Sequence, residues 1–416
     1  MAEPLPIKTL DLVLTSRCNL KCSYCFENDK KDLRMTWEIA RAGMDRALAS
    51  PRDEVDLVFF GGEPTLEFPL LRRCVAYARE NARKGQHVAF SIITNGTTLG
   101  EPEIDFLAAH DVDTTISFDG VPQAQAFRGK GTFDRLDALL TGLRASHPAF
   151  WETRVSVSIT LHPRMVRFFA DSIRYFLGKG VPRIDVSPRI THDPSWKTED
   201  IEILDAAFHE VYRASLRHLR AHGNVPLVIF RRSADELRVR PRSISMCGVG
   251  SGEKLAVDVD GQAHGCILFV DSYQKLPSPF LEERFASMRM GDVRDPAFEG
   301  RRRQYTEAAT QAAIFDDKQR KYSSYGRCGA CRYLATCSVC PTGIGHIPGN
   351  TDPDRVPDFA CAYNLVALEY RRRFPRPGTA RFDLKQGRRD AEIRKLVAAV
   401  KADRKSALAR GRSRWD

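Results

Sequence analysis

Two hydrophobic rhythms alternate along the first half of the chain. Short apolar, β-branched runs appear at "LDLVLT" (10–15), "VDLVFF" (55–60), "VAFSIITN" (88–95), "DTTISFD" (113–119), "RVSVSIT" (154–160) and "RIDVSPRI" (183–190). Apolar, β-branched runs this short predict strands. Between them lie "TWEIARAGMDRALAS", "PLLRRCVAYARENARKG", "EPEIDFLAAHD", "TFDRLDALLTGLRAS" and "VRFFADSIRYFLGKG". Their apolar residues recur at helical spacing, and three end in Gly or Ser behind basic residues, as helix C-termini do. Strand–helix alternation predicts an α/β fold with a parallel sheet and right-handed crossovers. Six repeats fit an open barrel or a doubly wound sheet, and in both the ligands sit on the loops at the C-terminal ends of the strands.

Those loops hold the unusual residues. After the first predicted strand comes "RCNLKCSYCF" (17–26), with Cys18, Cys22 and Cys25 spaced C-x3-C-x2-C. After the second comes "GGEP" (61–64), after the third "TNG" (94–96) and after the fourth "FDG" (118–120). All four fall on one face of one predicted domain. Alone, "TNG" reads as an ordinary turn. Cys74, within a helical stretch, reads as a buried core thiol.

Composition changes the picture in two places. The net charge of +11 hints at nucleic acid, but residues 371–416 hold sixteen Lys or Arg against five Asp or Glu, which is the whole excess. The remainder is nearly neutral, so no basic nucleic-acid groove is expected. The first thirty residues carry Lys8, Asp11, Arg17 and Lys21 and no long apolar core, so they do not read as a secretory signal. No run of about 18 apolar residues is present to span a membrane. A cytoplasmic, reducing home follows, where clustered cysteines serve as metal ligands or catalytic groups more often than disulfides.

Three thiols are too many for one disulfide and too few for a typical structural zinc. They can hold three irons of a 4Fe-4S cubane and leave the fourth iron open. C-x3-C-x-aromatic-C, with Tyr24 as the aromatic, resembles the signature of the radical S-adenosylmethionine (SAM) enzymes. The resemblance implies a partial (β/α)6 TIM-type barrel whose open iron chelates SAM, and one-electron cleavage to a 5′-deoxyadenosyl radical that takes a substrate hydrogen. It also implies that Gly61, Gly62 and Glu63 stand at the methionyl amino group and Tyr24 beside the adenine. Asn95, Ser117 and Arg128 become candidates for the carboxylate or ribose. An external electron donor is required.

Seven more cysteines follow. "CGVGSGEKLAVDVDGQAHGC" pairs Cys247 with Cys266 around a predicted hairpin at "VDVDG". "CGACRYLATCSVC" supplies Cys328, Cys331, Cys337 and Cys340, and Cys361 comes after it. Taken alone, two C-x2-C pairs favour a zinc ribbon. In this order, however, the set resembles the SPASM extension of radical SAM enzymes, with x2 rather than x3 before Cys340. The resemblance implies two auxiliary 4Fe-4S clusters: a distal one on Cys328, Cys331, Cys337 and Cys361, and a nearer one on Cys247, Cys266 and Cys340. An eighth cysteine is missing from "GVGSGEK", which leaves the near cluster with an open iron or capped by Glu253 or by substrate. The expected organisation is a radical SAM core over 1–235, a SPASM domain over 236–370 and a basic helical tail over 371–416.

Members of the SPASM group mostly modify peptides or proteins. The expected reaction is oxidative modification of a ribosomally made precursor peptide, forming a thioether or carbon–carbon cross-link. One alternative is sulfatase-type oxidation of Ser or Cys to formylglycine. That group places an Asp directly after the cysteine equivalent to Cys266, whereas Ile267 stands here, with Asp258, Asp260 and Asp271 as other acids in range. Rivals of other kinds are an RNA-modifying radical enzyme and a zinc-ribbon binding protein. Only about ten residues precede the first strand, so leader recognition is expected from a separate protein or another surface. Ile393, Leu396, Val397 and Val400 form a short amphipathic stripe in the tail, a candidate dock for an acidic leader.

Overall fold

The computed structural model describes residues 4–27, 29–231, 249–273, 275, 279–311, 318–340, 350 and 352–375. Cys247, the stretch 341–349 and the amphipathic stripe of the tail lie outside them.

Six strands form where the apolar runs predict them: β1 (Thr9–Thr15), β2 (Glu54–Gly61), β3 (His87–Thr94), β4 (Asp113–Ser117), β5 (Val155–Leu161) and β6 (Ile184–Pro188). The crossovers carry α1 (Trp37–Leu48), α2 (Phe68–Asn81), α3 (Glu101–Ala109), α4 (Pro122–Gln125), α5 (Phe133–Ser146), α6 (Pro148–Arg154) and α7 (Val166–Lys179). Thr36 caps α1, its side chain accepting from Ile39 N at 3.5 Å, which satisfies one of the unpaired amides of the first turn. Cys74 is fully buried in the core under α2.

The six strands pair in chain order and all in parallel. No reversal of order occurs among them. Successive right-handed crossovers in one direction leave every helix on the same face, so the sheet curls as a partial barrel and lacks the switch point of a doubly wound sheet. β1 is buried along nearly its whole length.

Three further strands complete a nine-stranded sheet: β7 (Lys254–Val257), β8 (Gln262–His264) and β9 (Arg289–Asp292). β7 runs parallel to β1 on the side away from β2, and β8 and β9 follow antiparallel. The first sheet therefore runs past residue 235 into the cysteine-rich half. At the seam Lys254 Nζ lies 3.1 Å from Asp11 Oδ2, a pair that joins β7 to the centre of β1.

The remaining helices are α8 (Ile201–His222), α9 (Val228–Arg231), α10 (Pro279–Ala286), α11 (Phe298–Gln311) and α12 (Asp358–Arg373), with a small ladder of β10 (Tyr322–Ser323) and β11 (Gly326–Arg327). Arg302 of α11 is fully buried and donates to the carbonyls of Leu5, Pro6 and Gly252 at 2.7 to 3.3 Å. α12 packs along α8. Tyr363 donates to the Val186 carbonyl at 2.8 Å and Tyr370 to that of Asp205 at 3.2 Å, with Phe208 packed between their rings. Among the described residues, no helix is long and apolar enough to cross a membrane.

Candidate active site

The C-terminal ends of β1 to β5 bring their loops to one place. The cysteine loop leaves β1 at Ser16 and is tied down at once. Thr15 Oγ1 donates to the Leu33 carbonyl at 2.7 Å, and Ser16 Oγ to that of Lys31 at 2.8 Å. Gly62 N donates to Thr15 O at 2.9 Å and Glu63 N to Arg17 O at 2.7 Å. The glycines of "GGEP" permit this docking. Gly61 has φ +150°, and a Cβ on it would stand 2.5 Å from Thr15 O; one on Gly62 would stand 2.2 Å from Arg17 O. The close approach they allow is to the chain's own cysteine loop.

Cys18, Cys22 and Cys25 are free and half-buried. Burial raises the Cys22 thiol and carries Cys25 up to about 12. The Lys30 ammonium lies within the electrostatic reach of all three. Burial pulls its pKa down, but the thiols and Glu27 hold it above the usual lysine value. Nζ donates to the Leu20 carbonyl at 3.3 Å. A cation so placed favours the thiolate that iron requires. Among the described residues no three ligand groups close on a single ion position, whereas in a cubane each iron takes its own thiolate.

Glu63 is almost wholly buried, which raises its pKa. Its Oε1 accepts from Thr65 N (3.1 Å), Thr65 Oγ1 (2.5 Å) and Thr94 Oγ1 (2.7 Å), and Oε2 accepts from Asn95 N at 2.6 Å. Asn95 Nδ2 donates to Asn19 Oδ1 at 2.8 Å and lies 4.0 Å from Cys18 Sγ. Glu63 and Asn95 thus hold the end of β3 against the cysteine loop. Ser117 sits half-buried at the end of β4, opposite Ser158 of β5.

A second polar knot occupies the β4 and β5 ends. Asp119 is fully buried. It accepts from the Tyr24 hydroxyl, from Arg128 Nη2 at 2.8 Å and from Thr160 N at 3.1 Å. Arg128 also lies over the Tyr24 ring, 5.5 Å from its centroid, and its Nε is buried without a hydrogen-bond partner. His162 follows β5, with its ring 4.9 Å from Tyr24 and 4.7 Å from Phe127. Burial lowers its pKa to about 4, and Nε2 has no partner. Asp119 lies in the "FDG" loop, whose position after β4 was legible although its role was not. His162, Lys30 and Glu27 were not singled out; His162 alone directly follows a strand.

The cysteine-rich half separates into two places. Cys328, Cys331, Cys337 and Cys361 line one cavity with Lys318, Lys321, Val356 and Leu368. Cys361 rides on α12, and its sulfur accepts from Ser323 Oγ at 3.1 Å. Cys340 is exposed and outside that cavity; its charge instead bears on Cys266, whose thiol burial pushes up to about 12. Cys247 lies outside the described residues. Glu253 is engaged elsewhere: Arg52 Nη1 donates to its Oε1 at 2.8 Å, and Ser251 Oγ lies 3.2 Å from Oε2. Ile267 packs against the apolar cluster of Val13 and Tyr273. The nearby acids have partners as well. Asp258 accepts from Ser272 N and Oγ at 2.8 and 2.5 Å, Asp271 takes both arms of Arg289 at 2.7 and 2.8 Å, and Asp260 accepts from Gln262 N at 2.9 Å.

Residues 12–167 match the Radical SAM superfamily. An uncharacterised protein of Methanocaldococcus jannaschii is 28% identical over 268 residues, covering 62% of this chain and 85% of that protein. A cysteine-type anaerobic sulfatase-maturating enzyme of Clostridium novyi is 25% identical over 297 residues, 64% of this chain and 76% of that enzyme. Among solved structures, native anSMEcpe with bound AdoMet and Kp18Cys peptide superposes with a TM-score of 0.65 at 16% identity, over 95% of this chain and all of that one. Streptococcus suis SuiB bound to precursor peptide SuiA superposes at 0.50 and 16%, over 86% of this chain and 76% of that one. At such identities these superpositions establish a shared fold.

Proposed function

From the premise that a chain with this domain at residues 12–167 is a radical SAM enzyme using a 4Fe-4S cluster and SAM, we propose that it is a peptide maturase. Its substrate is a ribosomally made precursor peptide, and its product carries a thioether or carbon–carbon cross-link. When bound, cluster and cofactor supply a radical that takes one hydrogen atom from the substrate. Cys18, Cys22 and Cys25 hold the cluster, with Lys30 balancing their charge. Gly61, Gly62, Glu63, Asn95, Ser117, Arg128 and Tyr24 form the cofactor's walls. Glu63 and Asn95 fix the loop ends, Arg128 keeps a free Nε for an anionic group, and the Tyr24–His162 pair excludes water.

The observation that carries the reading is the seam between β1 and β7. One sheet bears both the first cysteine loop and the hairpin that delivers Cys266. Cross-linking removes two electrons from the peptide, one leaving with the hydrogen atom. The other needs an acceptor nearby, and a second thiol-rich site on the same sheet suits that role. The anSMEcpe and SuiB superpositions, both with bound peptides, support a peptide substrate. Formylglycine formation is disfavoured by Ile267 and by the engaged carboxylates around it.

The test is anaerobic reconstitution, followed by reaction with SAM, a reductant and any short Cys-rich or aromatic-rich peptide encoded beside the gene. A cross-link appears as loss of a pair of hydrogens, with 5′-deoxyadenosine formed in proportion and no reaction with carbonyl reagents. A product that couples to a hydrazide would establish the sulfatase-type alternative. Zinc without iron would establish the ribbon reading.

A further inference from the structure

Cys328, Cys331, Cys337 and Cys361 share their cavity with two lysines. Lys321 is 1% exposed and Lys318 is 8% exposed. Lysines this deeply buried are uncommon, because desolvating an ammonium costs free energy that a nearby negative charge must offset. Lys321 Nζ donates to the Pro353 carbonyl at 2.6 Å and is 3.8 Å from Asp354 Oδ1. Lys318 Nζ donates to the Cys337 carbonyl, and among the described residues no carboxylate pairs with it. Both lysines line the same cavity wall as the four sulfurs. With neutral thiols, Lys318 is a buried ammonium with no counter-charge among the described residues, which is costly. With thiolates around a cluster, each ammonium gains a counter-charge in a low-dielectric pocket.

We propose that Lys318 and Lys321 set the reduction potential of the cluster held by these four cysteines, keeping it poised to accept an electron. The inference rests on the iron–sulfur reading of the cavity. A four-thiolate cluster is an anion, and reduction adds one electron and one further negative charge. Fixed positive charges beside the sulfurs stabilise the reduced form more than the oxidised one and so raise the potential. Both lysines act through the cluster and touch no substrate; they are positioning residues for charge. In the proposed reaction, an electron taken up at the Cys266 site would pass on to this cluster.

The test uses the full-length chain with Cys18, Cys22, Cys25 and Cys266 changed to Ala, so that the cavity's cluster is the one remaining. Iron and sulfide are counted, and the cluster is titrated potentiometrically by electron paramagnetic resonance. Lys318→Met and Lys321→Met are each expected to shift the midpoint to more negative potential, with iron content retained. Lys318→Arg and Lys321→Arg, which keep the charge, should stay near the parent value. If either Met variant disrupts the fold, Lys318→Gln, at the less buried position, gives the same reading. Unshifted midpoints with unchanged iron would overturn the proposal while leaving the iron–sulfur reading intact. A parent holding zinc or no iron would overturn both.

Discussion

Arg128 Nη2 donates to Asp119 Oδ1 at 2.8 Å, and neither side chain is more than 9% exposed. A buried pair of this kind adds little over an apolar pair, but removing one partner strands the other charge. Asp119→Asn is therefore expected to cost ~3–5 kcal/mol of stability, read as a lower urea midpoint. Asp119→Leu with Arg128→Met should cost much less than the two single changes summed. An additive outcome would show that the two charges do not depend on each other.

Gly62→Ala places a methyl group where Arg17 O now lies. The cysteine loop must shift to admit it, while the core beneath β2 is untouched. The expected result is a folded protein that, after reconstitution, holds less iron in its first site and forms at least tenfold less 5′-deoxyadenosine. Full iron and full cleavage would show that the loop docks more loosely than this geometry requires.

His162 gives a pH-dependent contribution whose sign follows from burial. Its folded pKa is about 4, against an unfolded value of roughly 6.5. Between those values the unfolded chain binds the extra proton. The neutral ring's stabilisation is therefore complete above the unfolded pKa and lost as pH falls through the folded one. His162→Phe fills the space without titrating. The difference in unfolding free energy between parent and variant should change by about 2 kcal/mol between pH 7.5 and pH 5. A pH-independent difference would place the proton elsewhere.

The tail can be removed only from the right place. Phe374 stacks on Phe230 at 4.3 Å and meets Tyr212 edge-on at 5.6 Å. Ending the chain after Pro375 keeps both ring contacts. Ending it before Phe374 should cost about 3–5 kcal/mol, as deletion of a buried Phe side chain does. The shorter deletion also tests whether residues 376–416 dock the leader peptide: affinity that survives it would end that idea.

Much of this was legible in the sequence, for local reasons. β1 to β6 are short apolar, β-branched runs, and the intervening stretches keep a helical period. Both are properties of neighbouring residues. Cys18, Cys22 and Cys25 could be read because their ligand spacing is itself a local pattern. The "VDVDG" hairpin was also visible, but its parallel pairing with β1 was not, since nothing within Lys254–Val257 names the edge it joins. Asp119 and Arg128 are joined through a turn and a short helix, and His162 is a single residue. Their importance comes from burial, which depends on the whole fold. The choice between barrel and doubly wound sheet was settled only by the strand order.

That order has one more consequence. The nine strands begin at β6 and finish at β9, and among the described strands these two do not pair. A closed ring would admit a polymer only by threading a free end through it. In the proposed reaction, a sheet that does not close on itself would spare a precursor peptide that threading.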